Sequence, residues 1–247
     1  MSTTCVKGIS PSSCKGWRRR AQQYMAAQQY YQDMVTAEGY NDVIEDRAQI
    51  QSALEQQAKD VAEFKNAQEK PKPKPNIPQL DIIGQGDITQ NQLHKLSGDV
   101  VEQVSLEIAV EKLGYEPIPY DQPLHGVDIF CKKDGKIVAI ESKGRAEPNA
   151  TEGLKRSVHG DRQCSDTWME RKFESMKTEG STAHTDTNLQ IVEAIEAQGG
   201  IESVDTLLVH HNPHTMNIFV HEKVDSKAEQ WEPVALLEFD QNAVEKP

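Results

Sequence analysis

His125-Gly-Val-Asp-Ile-Phe-Cys-Lys-Lys-Asp-Gly-Lys-Ile-Val-Ala-Ile-Glu-Ser-Lys-Gly144 is the stretch on which the fold turns. Val127–Cys131 and Lys136–Ser142 are strand-like runs rich in β-branched and aromatic side chains, and Asp134-Gly135 between them suits a tight hairpin turn. Residues two apart on a strand share a face, so Glu141 and Lys143 project together. Pairing of the two strands brings Asp128, at the start of the first, beside them. Two carboxylates and an ammonium then converge, the outline of a site for a hard cation with a charged neighbour.

Outward from this hairpin the periodicity is mixed. Upstream, Ser97–Leu113 reads as a helix, with Ser97 or Asp99 as its cap and Gly114 as its stop. Tyr115–Tyr120 is a strand-like run between that helix and the hairpin. Downstream, Gly144–Gly160 reads as a loop, followed by helices over Ser165–Lys177 and Thr187–Ala197. Val204–Val209 and Met216–Val220 are strand-like and flank the turn Asn212-Pro213, and Pro233–Phe239 supplies a last strand. The predicted order is helix, three strands, helix, strand, which is an α/β arrangement, and no internal repeat is visible.

Further upstream, Lys70-Pro-Lys-Pro-Lys-Pro-Asn-Ile-Pro78 reads as a stiff polyproline-type spacer. Before it, Gly16–Gln68 is rich in Ala, Gln, Glu and Lys and is divided by Gly39 into two helical segments. The second spaces Val43, Ile44, Ile50, Leu54, Val61 and Phe64 into an apolar stripe, expected of a helical hairpin or docking element. The chain therefore divides into a helical region at 1–69, a Pro/Lys-rich linker at 70–96 and an α/β domain at 97–247.

The 247 residues carry 39 acidic and 27 basic side chains, a net charge of −12. A chain this acidic is repelled by nucleic acid as a whole, so a nucleic-acid role needs local clustering and a metal ion. The charge is unevenly spread. Residues 1–76 hold 11 basic and 9 acidic groups and the remainder 16 and 30, yet Lys132–Lys177 holds 11 basic against 8 acidic. Arg145, Lys155, Arg156 and Arg162 in that stretch are candidates for contact with a phosphate backbone. No apolar run approaches the ~20 residues of a membrane-spanning helix. Arg18-Arg19-Arg20 is followed by glutamine-rich sequence instead of an apolar core, so no cleavable secretion signal is expected. Cys5, Cys14, Cys131 and Cys164 form no metal or disulfide pattern and suit a reducing compartment.

Two carboxylates hold Mg²⁺ or Mn²⁺ through oxygen and leave positions for water and phosphate. Such an ion polarises a phosphoryl oxygen and activates water, while a neighbouring lysine orients that water or offsets developing charge. Phosphodiester hydrolysis is the chemistry this set suits. The histidines His210, His211, His214 and His221 invite a zinc-site reading, but adjacent strand residues face opposite sides, so His210 and His211 do not reach one metal. They read as structural or peripheral. Cys164 and His159 likewise lack partners at zinc-ligand spacing.

At these residues the chain resembles the PD-(D/E)XK nuclease superfamily, which shares the restriction-endonuclease-like fold. Asp128 matches the first acidic position, Glu141-Ser142-Lys143 the D/E-x-K element, and Glu102, within Gly98-Asp-Val-Val-Glu102, a glutamate often found on the preceding helix. Gly126-Val127 stands where the name pattern has proline. The resemblance covers about Gly98–Lys177 and implies metal ligation by Asp128, Glu141 and Glu102, with Lys143 orienting the attacking water.

Gln163-Cys-Ser-Asp-Thr-Trp168 resembles a Gln-x-Ser-x-x-Trp element of nuclease domains in polymorphic bacterial toxins, including contact-dependent and type VI secretion effectors. It implies that Gln163 assists at the phosphate or the metal-bound water, that Ser165 caps the following helix and that Trp168 packs. The resemblance further implies an antibacterial DNase, cytoplasmic in its producer, exported without a cleavable signal and acting in the target-cell cytoplasm. A cognate immunity protein, and a secretion-apparatus component meeting the N-terminal region, are the implied partners. The alternatives are a toxin of the same fold cleaving tRNA or other RNA, and a catalytically silent nucleic-acid-binding or adaptor protein.

Overall fold

The computed structural model of the protein describes residues 39–67, 90–123, 126–145, 149, 153–212 and 215–240. The first helical segment with Arg18–Arg20, Cys5 and Cys14, the proline-rich spacer, and His125 and His214 lie outside the described residues.

Helix α1 spans Arg47–Ala67 and α2 Gln90–Glu111; strands β1 (Glu116–Pro117), β2 (Ile129–Lys133) and β3 (Lys136–Gly144) follow. Helices α3 (Asp166–Lys177) and α4 (Asp186–Gln198) lead into β4 (Asp205–His211), β5 (Ile218–Lys223) and β6 (Trp231–Leu237). The protein is mixed α/β. Its six strands form one sheet in sequence order, with β3 and β4 parallel and every other neighbouring pair antiparallel. The parallel step needs a long crossover, and α3 and α4 supply it.

The predicted turn forms. Asp134 and Gly135 have φ of 50° and 82°, and β2 and β3 pair from Lys133↔Lys136 to Ile129↔Ile140. Alternation along β3 then sorts its side chains between two layers. Val138 and Ile140 pack with Val104 and Ile108 of α2, while Ile137 and Ala139 pack with Trp168 and Phe173 of α3 and Ile191 and Ile195 of α4. Glu141 and Lys143 continue the α3–α4 face. Fully buried Ile108, Ile140, Ile191 and Ile195 each contribute roughly 1.5–3 kcal/mol by leaving water.

The helices that frame the site are capped locally. Ser165 accepts a hydrogen bond from the Trp168 N–H at the start of α3, and Thr185 does the same for Asn188 at the start of α4. Gly199, at φ 117°, closes α4 in the left-handed conformation that glycine adopts without steric cost.

Three boundaries differ from expectation. Helix α2 begins at Gln90 and runs through Ser97 and Gly98, so neither Ser97 nor Asp99 caps it and the expected linker is helical from Gln90. The Tyr115–Tyr120 run shrinks to Glu116–Pro117, because Pro117 and Pro119 have no N–H to give a ladder. The segment before α1 is built onto the sheet. Ile44 exchanges both backbone hydrogen bonds with Leu236 at 2.9 Å, Asn41 N–H donates to the Glu238 carbonyl at 3.0 Å, and Ile50 packs on Phe219 and Leu236. The exposed edge of β6 is thereby covered. No helix among the described residues is long and apolar enough to cross a membrane.

Candidate active site

Strand β3 carries Glu141 and Lys143 on one face, and the ladder pair Ile129↔Ile140 brings the preceding residue, Asp128, level with Glu141. The Ser142 N–H donates to Asp128 Oδ2 at 2.8 Å, which fixes that carboxylate at the mouth of the hairpin. Lys143 Nζ contacts Glu141 Oε1, lies 4.0 Å from Asp128 Oδ2 and donates to the Ser142 carbonyl at 3.0 Å. Gln163, from the turn before α3, donates its amide to Glu141 Oε1 at 2.6 Å. The residues expected at 128, 141, 143 and 163 are thus brought together.

Glu141 is 1% exposed; no protein donor among the described residues reaches its second oxygen, Oε2, and its carboxyl lies in hydrogen-bonding range of the Asp128 carboxyl, a contact that one shared proton serves. Burial pushes its carboxyl up to about 8, the adjacent Asp128 adds to the rise, and Lys143 opposes it. Asp128 is raised by burial against the pull of Lys143 and the Ser142 N–H. Burial acts to lower Lys143, but Glu141 and Asp128 outweigh it and the ammonium is held above its ordinary range. One ammonium therefore faces two desolvated carboxyls that resist ionising together. Asp128 and Glu141 are the two carboxylates that could hold a divalent cation through oxygen, in exchange for that proton.

Glu102 lies half-buried on α2, whose core residues pack on the opposite face of the sheet, and it accepts a hydrogen bond from the Gln122 amide at 3.5 Å. Among the described residues no group of three or more His, Cys, Asp or Glu side chains is placed to hold a metal ion.

Of the four candidate phosphate contacts, Arg156 is braced, donating to the Gly160 carbonyl at 3.0 Å and pairing with Glu229 at 3.4 Å. Arg145 and Arg162 are half-buried and Lys155 is exposed. Ser165 caps α3, and Trp168 is buried in the core beneath it.

The histidines divide as strand alternation requires. His211 Nε2 lies 3.0 Å from Ser105 Oγ on the α2 side, whereas His210 Nε2 lies 3.0 Å from the Arg145 carbonyl. The His210 ring sits 6.2 Å from Phe219 and 6.0 Å from His221. Burial, reinforced by His210, depresses both His211 and His221 to about 3, so both are neutral.

Three neighbours had no part in the site expected from the sequence. A Cβ on Gly153 would sit 3.0 Å from Arg145 Cδ and 3.1 Å from Lys143 Cγ, so the chain there lies directly over the lysine stem. Buried Cys164 takes φ 67° between Gln163 and Ser165, and burial together with the charge of Glu141 raises its thiol. Tyr120 stacks edge-on to Phe130 at 4.9 Å, its hydroxyl filling the space that any Cβ on Gly126 would need. The glycines were the legible signal, since each permits a close approach. No protein-family profile matches the chain, and no match is found among curated proteins or solved structures.

Proposed function

We propose that the protein is a metal-dependent nuclease that hydrolyses DNA phosphodiester bonds at Asp128, Glu141 and Lys143, on a restriction-endonuclease-like core. The observation that carries this reading is the buried Glu141 carboxyl, with Oε1 held by Lys143 and Gln163 and the Asp128 carboxyl in hydrogen-bonding range. Two buried carboxyls this close are costly to ionise together, and a cation that replaces their shared proton offsets that cost. Mg²⁺ needs only one or two protein carboxylates, with water and substrate phosphate completing its shell, so the Asp128–Glu141 pair suffices. The order of α2, an antiparallel β1–β3 meander, a helical crossover and β4 parallel to β3 supports the core assignment.

A bound divalent ion supplies Lewis-acid stabilisation of the phosphoryl oxygens and a lowered pKa for water. Lys143, raised by its two carboxylates, remains an ammonium at neutral pH; it orients and neutralises, and does not act as the base. Gln163 positions Glu141 through its amide. Mg²⁺-dependent nicking of plasmid, lost in Asp128→Ala and Glu141→Ala, tests the proposal, and cleavage of total tRNA instead of plasmid would transfer the activity to RNA.

The setting of a delivered antibacterial toxin rests on Gln163, Ser165 and Trp168, which act as carboxylate partner, helix cap and core anchor within six residues. Expression in the bacterial cytoplasm with intact genomic DNA and normal growth would count against that setting.

A further inference from the structure

Between Gly153, which lies on the Lys143 stem, and Gln163, which holds Glu141, the chain makes a narrow hairpin. Lys155 and Gln163 join at its foot, with the Gln163 N–H donating to the Lys155 carbonyl at 2.9 Å, and Arg156 bridges Arg162 above them. The Ser157 N–H donates to the Asp161 carbonyl at 2.7 Å, and Gly160, at φ 91°, turns the tip. The hairpin is braced from outside by Arg156 on Glu229 and by Arg171 on Asp161. At the tip stands Val158, 97% exposed, where the next most exposed large apolar side chain among the described residues, Val224, is 52% exposed. A stiffened projection that ends in a solvated valine gains nothing from it in the free protein.

We infer that this hairpin enters the major groove of B-form DNA and carries Val158 to the base edges, making duplex DNA the substrate of the site in preference to RNA. The inference rests on the nuclease reading. Two chains about 4.8 Å apart with their side chains match the ~12 Å major groove, which admits a two-stranded ribbon, and exceed the ~6 Å minor groove. The major groove of A-form RNA is too deep and narrow for side chains to read. Val158 lies three residues beyond Lys155 and five before Gln163, a reach of at most about 10 Å along the shorter arm at ~3.3 Å per residue, enough for the ~8.5 Å depth of the major groove. An apolar tip on a groove floor meets the thymine methyl group, and exposed Lys155 at the foot meets the phosphates.

The test compares kcat/KM for duplex DNA, the matching duplex RNA and bis(4-nitrophenyl) phosphate, using wild type and V158S with Mg²⁺. In V158S the ratio of duplex-DNA to small-diester kcat/KM falls about tenfold, as expected for loss of one apolar base contact. The wild type cleaves duplex DNA in preference to duplex RNA. An unchanged ratio in V158S, or equal cleavage of duplex RNA by the wild type, overturns the inference. If the wild type cleaves none of the three, the nuclease reading falls and the hairpin is judged by binding alone. Protection of guanine N7 from dimethyl sulfate by the wild type, weakened in V158S, then upholds the groove contact, and absent or equal protection overturns it.

Discussion

Gln163 donates its side-chain amide to Glu141 Oε1 at 2.6 Å, tying the foot of a surface hairpin to the buried end of strand β3. The same oxygen meets Lys143. Glu141 is thus oriented from two sides at Oε1. Groups that orient a metal-binding carboxylate typically account for about 10–100-fold in affinity or activity, and a loss in that range is expected for Gln163→Ala. Mn²⁺ titration calorimetry and plasmid nicking measure it; wild-type values for both would show that the amide has no orienting role.

Gly153 sets the position of Lys143 from above. In Gly153→Val the new side chain meets Lys143 and Arg145 carbons that already lie 3.0–3.2 Å from a Cβ, and the lysine stem must move. A displacement near 1 Å at a catalytic group can cost up to about a hundredfold in rate. The expected result is a fall in kcat together with a modest drop in melting temperature, since the added side chain overpacks the inner part of the lysine stem. A loss confined to KM would place Gly153 in substrate binding instead.

Acid destabilises the fold through His211 and His221. In the unfolded chain both take up protons near the ordinary value of 6.5, but in the folded protein only near 3. The unfolded state therefore binds more protons between those values. Their contribution to stability is full above about pH 6.5 and is lost as pH falls towards 3, opposed between about pH 4.5 and 8 by Glu141, whose carboxyl holds its proton more tightly in the folded state. Urea midpoints measured across that range should drop steadily, and His221→Phe, which keeps a ring against Phe219, should flatten the decline. An identical decline in the variant would assign the acid sensitivity elsewhere.

The N-terminal helix belongs to the folded unit. Ile50 is fully buried against Phe219 and Leu236, and Ile50→Ala should destabilise the protein by roughly 2–5 kcal/mol, the usual range for such truncations. Chemical denaturation should show one transition shifted as a whole. A second transition, with the sheet unaffected, would mean that α1 folds independently.

The β2–β3 hairpin was legible because each signal in it was local: a two-residue turn, a continuous apolar run along β3 that is buried on both faces, and a charged pair two residues apart. Ser165, as a short polar residue before an amphipathic run, marked one helix start, whereas the next helix begins at Asp186, capped by Thr185, one residue before the expected Thr187. Contacts distant in sequence were not legible. Nothing local to Tyr40, Ile44 and Ile50 says that they meet Phe239 and Leu236, and the loop expected over Gly144–Gly160 conceals a hairpin whose support, Glu229 and Arg171, lies elsewhere in the chain. The start of α2 was misplaced for the same reason, since it begins at Gln90 and runs through the residues expected to cap it.

The measurement that bears most directly on the central claim is plasmid cleavage by wild type and Lys143→Ala, each with Mg²⁺ and with excess chelator. Wild type should nick and linearise the plasmid with Mg²⁺ alone, and Lys143→Ala should leave it supercoiled in both conditions. Cleavage by wild type in chelator, or undiminished cleavage by Lys143→Ala, would contradict the assignment of Asp128, Glu141 and Lys143 as a metal-dependent phosphodiesterase site.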